Sequence, residues 1–212
     1  MIILVVSQKG GCGKSTLATN ICAFLAQNHD VLLVDADRQP TSSEWLAERR
    51  QRKGLPKVTG VQKYGEIDDT LIEFNTKYEY VVVDCAGKDS SEMRSAMLVA
   101  DIAITPVRPS QADLNTLDVL CNVIIKQALR INQSMKSLIV LTMAPTNPQI
   151  NEIHDAKSFI EDYPILKLCN QIIYDRKVYR DCLSEGMGVT EFTNEKASDE
   201  MNSLMEEVLH GN

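Results

Sequence analysis

The sequence predicts one α/β domain built on a doubly wound, mostly parallel sheet that is flanked by helices. Short runs of β-branched and aliphatic residues alternate along the chain with segments whose apolar residues recur every three or four positions. The apolar runs lack the alternating polar residues of a half-exposed sheet, which indicates parallel strands covered on both faces. Because this order continues from end to end of 212 residues, we expect a single domain over 1–212.

The composition limits the class of protein. Charged residues make up 24% of the chain and apolar residues 44%, a balance typical of soluble globular proteins. The formal net charge of −7 argues against a generally basic nucleic-acid coat, so any DNA contact has to come from a local patch. The six cysteines form no C-x-x-C pair, which favours reduced thiols over a zinc site or disulfides. Without a signal peptide or an apolar run of ~20 residues, we expect a cytoplasmic protein that does not enter the membrane.

The first apolar strand, at 2–6, runs straight into a glycine-rich turn, KGGCGKST at 9–16, and this turn opens a helix. Glycines lack a Cβ atom, so the backbone of this turn can take positive φ angles and curl its N–H groups around a phosphate. Lys14 then reaches the β- and γ-phosphates, and the Ser15 hydroxyl is a ligand for Mg²⁺. The strand–turn–helix order therefore predicts a nucleotide site. Its predicted phosphate-binding residues are Gly10, Gly11, Cys12, Gly13, Lys14, Ser15 and Thr16.

The turn departs from the general phosphate-binding loop at its front. Gln8 stands where the pattern G-x-x-x-x-G-K-[ST] has glycine, and a second lysine, Lys9, precedes the glycines. The form K-G-G-x-G-K-S resembles the deviant Walker A motif of the ParA/MinD family of P-loop ATPases. In that family the early lysine crosses a dimer interface to the ATP of the other subunit, so the resemblance implies this role for Lys9. A solvated loop lysine is the alternative interpretation.

The second strand ends in DADRQP at 35–40, which resembles the D-x-D-P-Q segment of the same family, with Arg38 in place of proline. The resemblance implies that Asp37 orients the attacking water and lies beside the metal. One carboxylate can matter this much because phosphoryl transfer depends mainly on positioning and electrostatics. Asp35 and Asp37 could instead cap the next helix, since acidic residues often take that place.

The segment YVVVD at 80–84 is an apolar strand followed by aspartate, the Walker B pattern. We expect Asp84 to hold Mg²⁺ through a water molecule and Gly87 to offer its backbone N–H to the γ-phosphate. Many buried strands end in aspartate, so the position of this strand behind the glycine turn is what favours the interpretation. Further along, PVRPS at 106–110 resembles a turn of small ParA-type proteins and precedes a helix predicted to run to about Arg130.

A last strand is predicted at 166–173. Tyr174 and Asp175 follow it, where a doubly wound sheet is expected to hold the nucleotide base. MinD-like relatives read adenine with an asparagine after the preceding strand, but Thr142 and Met143 stand at that place here. The residues that read adenine are therefore left open.

Arg176, Lys177 and Arg180 open a short helix, and the resemblance implies that they contact non-specific DNA. A solvated face is an equally good interpretation, as it is for the cations of RRQRK at 49–53. The last helix, near 196–210, has an acidic outer face that argues against a basic membrane anchor. The acidic residues of that face are Glu200, Glu206 and Glu207.

The resemblance extends over nearly the whole chain and is closest to the small plasmid partition ParA subgroup, similar to ParF-type proteins, which lack an N-terminal helix-turn-helix region. It implies an ATPase that uses ATP and Mg²⁺ to partition plasmid DNA. ATP binding would drive a sandwich homodimer or a higher-order polymer on nucleoid DNA, and a small centromere-binding partner of the ParB/ParG type would stimulate hydrolysis. The alternatives are a MinD- or carboxysome-type positioning ATPase, a structural ATP-dependent polymer, and a metabolic relative with the same loop.

Overall fold

The computed structural model describes residues 1–147 and 151–211. Its centre is a seven-stranded sheet in the order β3-β2-β4-β1-β5-β6-β7, and every paired neighbour is parallel. The doubly wound prediction is confirmed. The strands are β1 (Ile2–Val5), β2 (Val31–Ala36), β3 (Thr59–Gln62), β4 (Tyr80–Cys85), β5 (Ile102–Val107), β6 (Lys136–Leu141) and β7 (Lys167–Leu168).

The helices connect these strands and cover both faces of the sheet. Successive residues of β1 contribute to opposite sides, with Ile2 and Leu4 in one apolar cluster and Ile3 and Val5 in the other. The chain order places β1 between β4 and β5, so the winding reverses beside the glycine turn. The helices are α1 (Lys14–Leu25), α2 (Thr41–Gln51), α3 (Asp68–Asn75), α4 (Ser91–Met97), α5 (Gln111–Leu114), α6 (Leu117–Val119), α7 (Lys126–Leu129), α8 (Glu152–Ile160), α9 (Lys177–Ser184) and α10 (Glu195–His210).

The helix predicted to run to Arg130 is not regular. It is divided into α5, α6 and α7, and a π-helical segment, Leu120–Ile125, joins the last two. The strands predicted at 2–6 and 80–84 end within one residue of those bounds, but the last strand, predicted at 166–173, is only Lys167–Leu168. The carboxylate of Glu207 accepts the backbone N–H groups of Asn170 and Gln171 at 2.7 Å each, so those groups are not available to β6.

Two charged residues predicted on the surface are buried instead. The Arg49 side chain is 3% exposed and donates to both carboxylate oxygens of Glu191, at 2.7 and 2.8 Å, and to the carbonyls of Pro56 and Gly186. The prediction that Glu200 belongs to the acidic outer face of the last helix was also wrong, since its side chain is 7% exposed. Arg49 is therefore not part of an exposed group of cations, whereas Arg50, Arg52 and Lys53 are exposed.

Gly186 allows this burial of Arg49. Its φ is +67°, and a Cβ at this position would lie 2.2 Å from the backbone nitrogen of Arg49. Only glycine fits so close to α2 in that backbone conformation.

All six cysteines lie within the described ranges, and each is a buried free thiol. No helix in the described part of the chain combines the length and the apolar character needed to cross a membrane.

Candidate functional site

Three predicted segments meet at the carboxyl ends of β1, β2 and β4. The register pairs Val5 with Asp84 and Asp35 with Asp84, so the glycine turn, the D-x-D segment and the Walker B aspartate begin from neighbouring positions. An open groove lies above them. The predicted residues that line this groove are Gly10, Gly11, Gly13, Lys14, Ser15, Thr16, Asp37 and Gly87.

The glycine turn has the backbone conformation expected at two of its three glycines. Gly11 and Gly13 have φ angles of +75° and +91°, whereas Gly10 has no positive φ. Cys12 is buried beneath the turn, and its carbonyl accepts the hydroxyl of Thr142 at 2.8 Å. The N–H groups of such a turn make an anion-binding concavity, and α1 begins immediately after it.

The amines of Lys9 and Lys14 have different partners. The buried Lys14 amine donates to the Lys9 carbonyl at 3.4 Å. The Lys9 amine lies 3.3 Å from the carboxylate of Asp113, with 40% of the Lys9 side chain exposed against 5% for Asp113. The Ser110 hydroxyl also donates to this carboxylate, at 2.5 Å. Lys9 is therefore held by its own chain, through a partner that the sequence pattern did not identify.

The two acids of the D-x-D segment have different surroundings. Asp35 is 1% exposed and accepts the backbone N–H groups of Asp37 and Ser43 and the Ser43 hydroxyl. Burial raises the pKa of Asp35, and its hydrogen bonds partly oppose that shift. Asp35 thus holds the beginning of α2, as the capping interpretation suggests. Asp37 accepts the N–H of Gln39 at 2.9 Å and lines the groove.

Asp84 has a buried carboxyl group whose two oxygens differ in their hydrogen bonding. Its Oδ2 accepts the Ser42 hydroxyl at 2.6 Å, while its buried Oδ1 has no donor among the described residues. Burial raises the pKa of Asp84 to about 6, and the hydroxyls of Ser42 and Ser15 lower it. A buried carboxylate oxygen without a donor is unfavourable, and a cation beside it favours the ionised form.

The oxygen donors at this edge of the sheet fit a magnesium ion. Mg²⁺ prefers carboxylate, hydroxyl, phosphate and water oxygens, and it usually takes only one or two protein ligands. Ser15, Asp84 through a water molecule, and Asp37 would hold it. When bound, the ion supplies positive charge to the phosphate oxygens.

Gly87 lies directly against the phosphate-binding turn. A Cβ at this position would lie 2.8 Å from the Lys14 amine and 3.0 Å from the backbone nitrogen of Gly10.

We expect Gly87→Ala to displace Lys14 or the turn and to weaken ADP binding by about tenfold. Titration with a fluorescent ADP analogue measures this, and the thermal melting temperature without nucleotide checks the fold. Unchanged ADP affinity would contradict the close packing.

A second, mostly apolar pocket lies between α1 and α9 and shares Gly13, Thr16 and Met143 with the phosphate groove. Tyr174 and Asp175, which the sequence predicts near the base, line this pocket. Met143 lines both cavities and has a left-handed backbone, with φ of +50°, which is rare for a residue with a long side chain. In the sequence, Met143 is only a departure from the asparagine of MinD-like relatives. Its place between the two pockets makes it a candidate nucleotide contact.

The three predicted DNA-contacting cations are paired within the chain. Arg176 bonds to the buried Glu200 at 2.6 Å, Lys177 to Asp181 at 2.6 Å, and Arg180 to Asp175 at 2.7 Å. Lys177 and Arg180 are more than half exposed, whereas the Arg176 side chain is 24% exposed. A DNA phosphate would have to compete with a carboxylate for each of them.

Comparison with known proteins identifies the family. Residues 3–212 match the CobQ/CobB/MinD/ParA nucleotide binding domain. The chain belongs to this family. Members of the ParA/MinD branch are P-loop ATPases, in agreement with the strand–turn–helix at residues 2–25 and with a groove suited to a nucleotide.

Relatives of this family match most of the chain. A Halothiobacillus neapolitanus protein named for maintenance of carboxysome distribution is 29% identical in an alignment that covers 98% of this chain and 95% of the relative. The chromosome partitioning protein ParA of Myxococcus xanthus is 25% identical, over 70% of this chain and 67% of the relative. The fold is that of Pyrococcus horikoshii MinD, solved with Mg-ADP, at a TM-score of 0.73 and 20% identity, covering 99% and 96% of the two chains.

Proposed function

We propose that this chain is an ATP-hydrolysing positioning protein whose ATP-bound form pairs with a second copy. The observation that supports this most is Lys9, a half-exposed lysine at the front of the glycine turn whose amine pairs with Asp113 at 3.3 Å. Lys14 already supplies a buried amine to the turn, so Lys9 is not needed for phosphate in its own subunit. An additional amine at the outer edge is what a site shared between two subunits requires.

The switch follows from charge. ATP favours the dimer only if it interacts better with two subunits than with one, and the γ-phosphate supplies that difference. In this proposal the glycine turn holds the phosphates, Asp37 orients the attacking water, and Ser15 and Asp84 hold Mg²⁺. Hydrolysis removes the shared charge and returns two monomers.

Two cargoes are supported by different observations. Partition of DNA on the nucleoid, with a small centromere-binding partner, is supported by the deviant P-loop resemblance and by the partitioning relative in Myxococcus xanthus. Distribution of a protein compartment is supported by the relative in Halothiobacillus neapolitanus, which matches 98% of this chain. Affinity capture with the ATP-bound protein separates them, because the first cargo predicts recovery of a small DNA-binding protein and the second a protein of the compartment.

Lys9→Ala is expected to abolish ATP-dependent dimers while ADP binding is retained. Losing a charge-assisted hydrogen bond to phosphate costs about 1.5–3 kcal/mol, which is roughly tenfold to a hundredfold in affinity. Size-exclusion chromatography with light scattering, with a non-hydrolysable ATP analogue and then with ADP, measures the dimer.

Lys136→Ala is the matched control for this variant. Lys136 is an exposed lysine at the beginning of β6, on the opposite edge of the sheet from the glycine turn. It should leave the dimer unchanged. Intact ATP-dependent dimers of Lys9→Ala would refute the shared-site proposal.

A further inference from the structure

A second cation, Arg108, contacts the same glycine turn that begins with Lys9. Arg108 follows β5, and its Nη2 donates to the carbonyl of Gly11. The ideal Cβ position of Gly11 is 3.6 Å from the same Nη2, so the guanidinium lies directly on the turn. The segment 108–113 therefore contacts the glycine turn twice: Arg108 donates to the Gly11 carbonyl, and Asp113 pairs with the Lys9 amine.

The monomer does not satisfy Arg108. Its Nε is buried and has no acceptor among residues 1–147 and 151–211, and no carboxylate within those ranges lies within ion-pair distance of its guanidinium. Arg49 shows the contrast, because all three of its nitrogens are bonded. An arginine with a purely structural role resembles Arg49. Arg108 has donors left over for a ligand that the monomer does not supply.

The positive charge of Lys9 and Arg108 beside the glycine turn favours an anionic ligand. Lys9 and Arg108 bring two positive charges, and the one carboxylate of residues 1–147 and 151–211 that pairs with either, Asp113, is also bonded to Ser110. Pro109 restricts the backbone at residue 108 to extended conformations, so the Cα position is fixed while the side chain keeps its rotamers. A planar guanidinium with free N–H groups suits phosphate, which it can bind through two parallel hydrogen bonds.

We propose that Arg108 is a second cross-subunit cation that binds the triphosphate of the ATP held by the partner copy. The inference rests on the proposed function, in which Lys9 reaches that ATP. A two-fold interface is formed by the same surface of both copies, so groups adjacent to Lys9 lie beside the partner's nucleotide wherever Lys9 does. Arg108 would exchange the Gly11 carbonyl for a phosphate oxygen on dimerisation.

Arg108→Ala separates this role from a local one. It should raise the dimer dissociation constant with a non-hydrolysable ATP analogue by about 100-fold, because two symmetric contacts of about tenfold each are lost. Sedimentation velocity measures the dimer. The affinities of the monomer for ADP and for the analogue, titrated at protein concentrations below dimerisation, should not change. Arg108→Lys keeps the charge without the planar fork and should give an intermediate dimer constant.

Arg130→Ala is the matched control, since Arg130 is an exposed arginine that follows α7 at the opposite edge of the sheet. It should dimerise like the wild type. If Arg108→Ala weakens monomer binding of nucleotide, Arg108 only shapes its own turn and the inference is overturned. If the wild type dimerises and Arg108→Ala dimerises equally well, the inference fails while the proposed function stands. A wild type that stays monomeric with the ATP analogue overturns the proposed function and this inference together.

Discussion

Asp37→Ala is expected to bind ATP normally and to hydrolyse it about 100-fold or more slowly, the range lost with a positioned acid–base group. Asp37 lies in the groove and accepts one backbone N–H from Gln39, so its removal leaves the glycine turn and β2 intact. Asp35, two residues earlier, has a structural role, because it accepts the backbone N–H and the hydroxyl of Ser43 in α2. The effect should therefore fall on turnover and not on the fold.

Phosphate release under saturating ATP measures the Asp37 effect, and titration of a fluorescent ATP analogue checks binding. Asp162→Ala is the control, because Asp162 is an exposed carboxylate that follows α8, away from the groove. It should hydrolyse ATP at the wild-type rate. A turnover rate unchanged in Asp37→Ala would assign the water-orienting role to another residue.

Arg49→Ala is expected to lower the free energy of unfolding by about 3–5 kcal/mol, the cost of breaking a buried ion pair from one side. The change leaves the Glu191 carboxylate, 7% exposed, without its guanidinium. It also removes the donors that satisfy the carbonyls of Pro56 and Gly186. The loop that joins α9 to the next short helix, Val189–Glu191, would lose its buried ion pair with α2 and keep the bond from Trp45 Nε1 to the Met187 carbonyl, at 3.0 Å.

Urea unfolding of the nucleotide-free protein measures the Arg49 effect. Arg52→Ala is the matched control, since the Arg52–Glu185 pair is exposed and its loss should cost about 1 kcal/mol or less. Replacing both members of the buried pair, with Arg49→Met and Glu191→Leu, should recover most of the stability because no uncompensated charge remains. A loss as small as that of Arg52→Ala would show that the buried pair does not hold the two segments together.

The strands and the meeting of the motifs could be predicted because their signals are local. A parallel strand covered on both faces appears as a continuous apolar run, as in residues 31–34 and 81–83. Parallel strands also bring their carboxyl ends to one edge of the sheet. The convergence of the glycine turn, Asp37 and Asp84 therefore follows from their places at the carboxyl ends of parallel strands.

The missed features depend on partners far away in the sequence. Glu207 ends β7 by bonding to residues 36 and 37 positions earlier, and Arg49 is buried because Glu191 lies 142 positions away. No local pattern distinguishes these side chains from solvated ones. The Lys9–Asp113 pair is of the same kind, and so is the contact of Arg108 with the glycine turn.

The bond between Ser42 and Asp84 has a consequence for the movement of α2. Asp84 gives one oxygen to the first turn of this helix and has the other available for a hydrated cation, so a single carboxylate can hold both at once. The far end of the same helix carries Arg49 and its bond to Glu191. A shift of the Asp84 side chain would therefore move Ser42 and, at the other end of the same helix, Arg49 and its bond to Glu191.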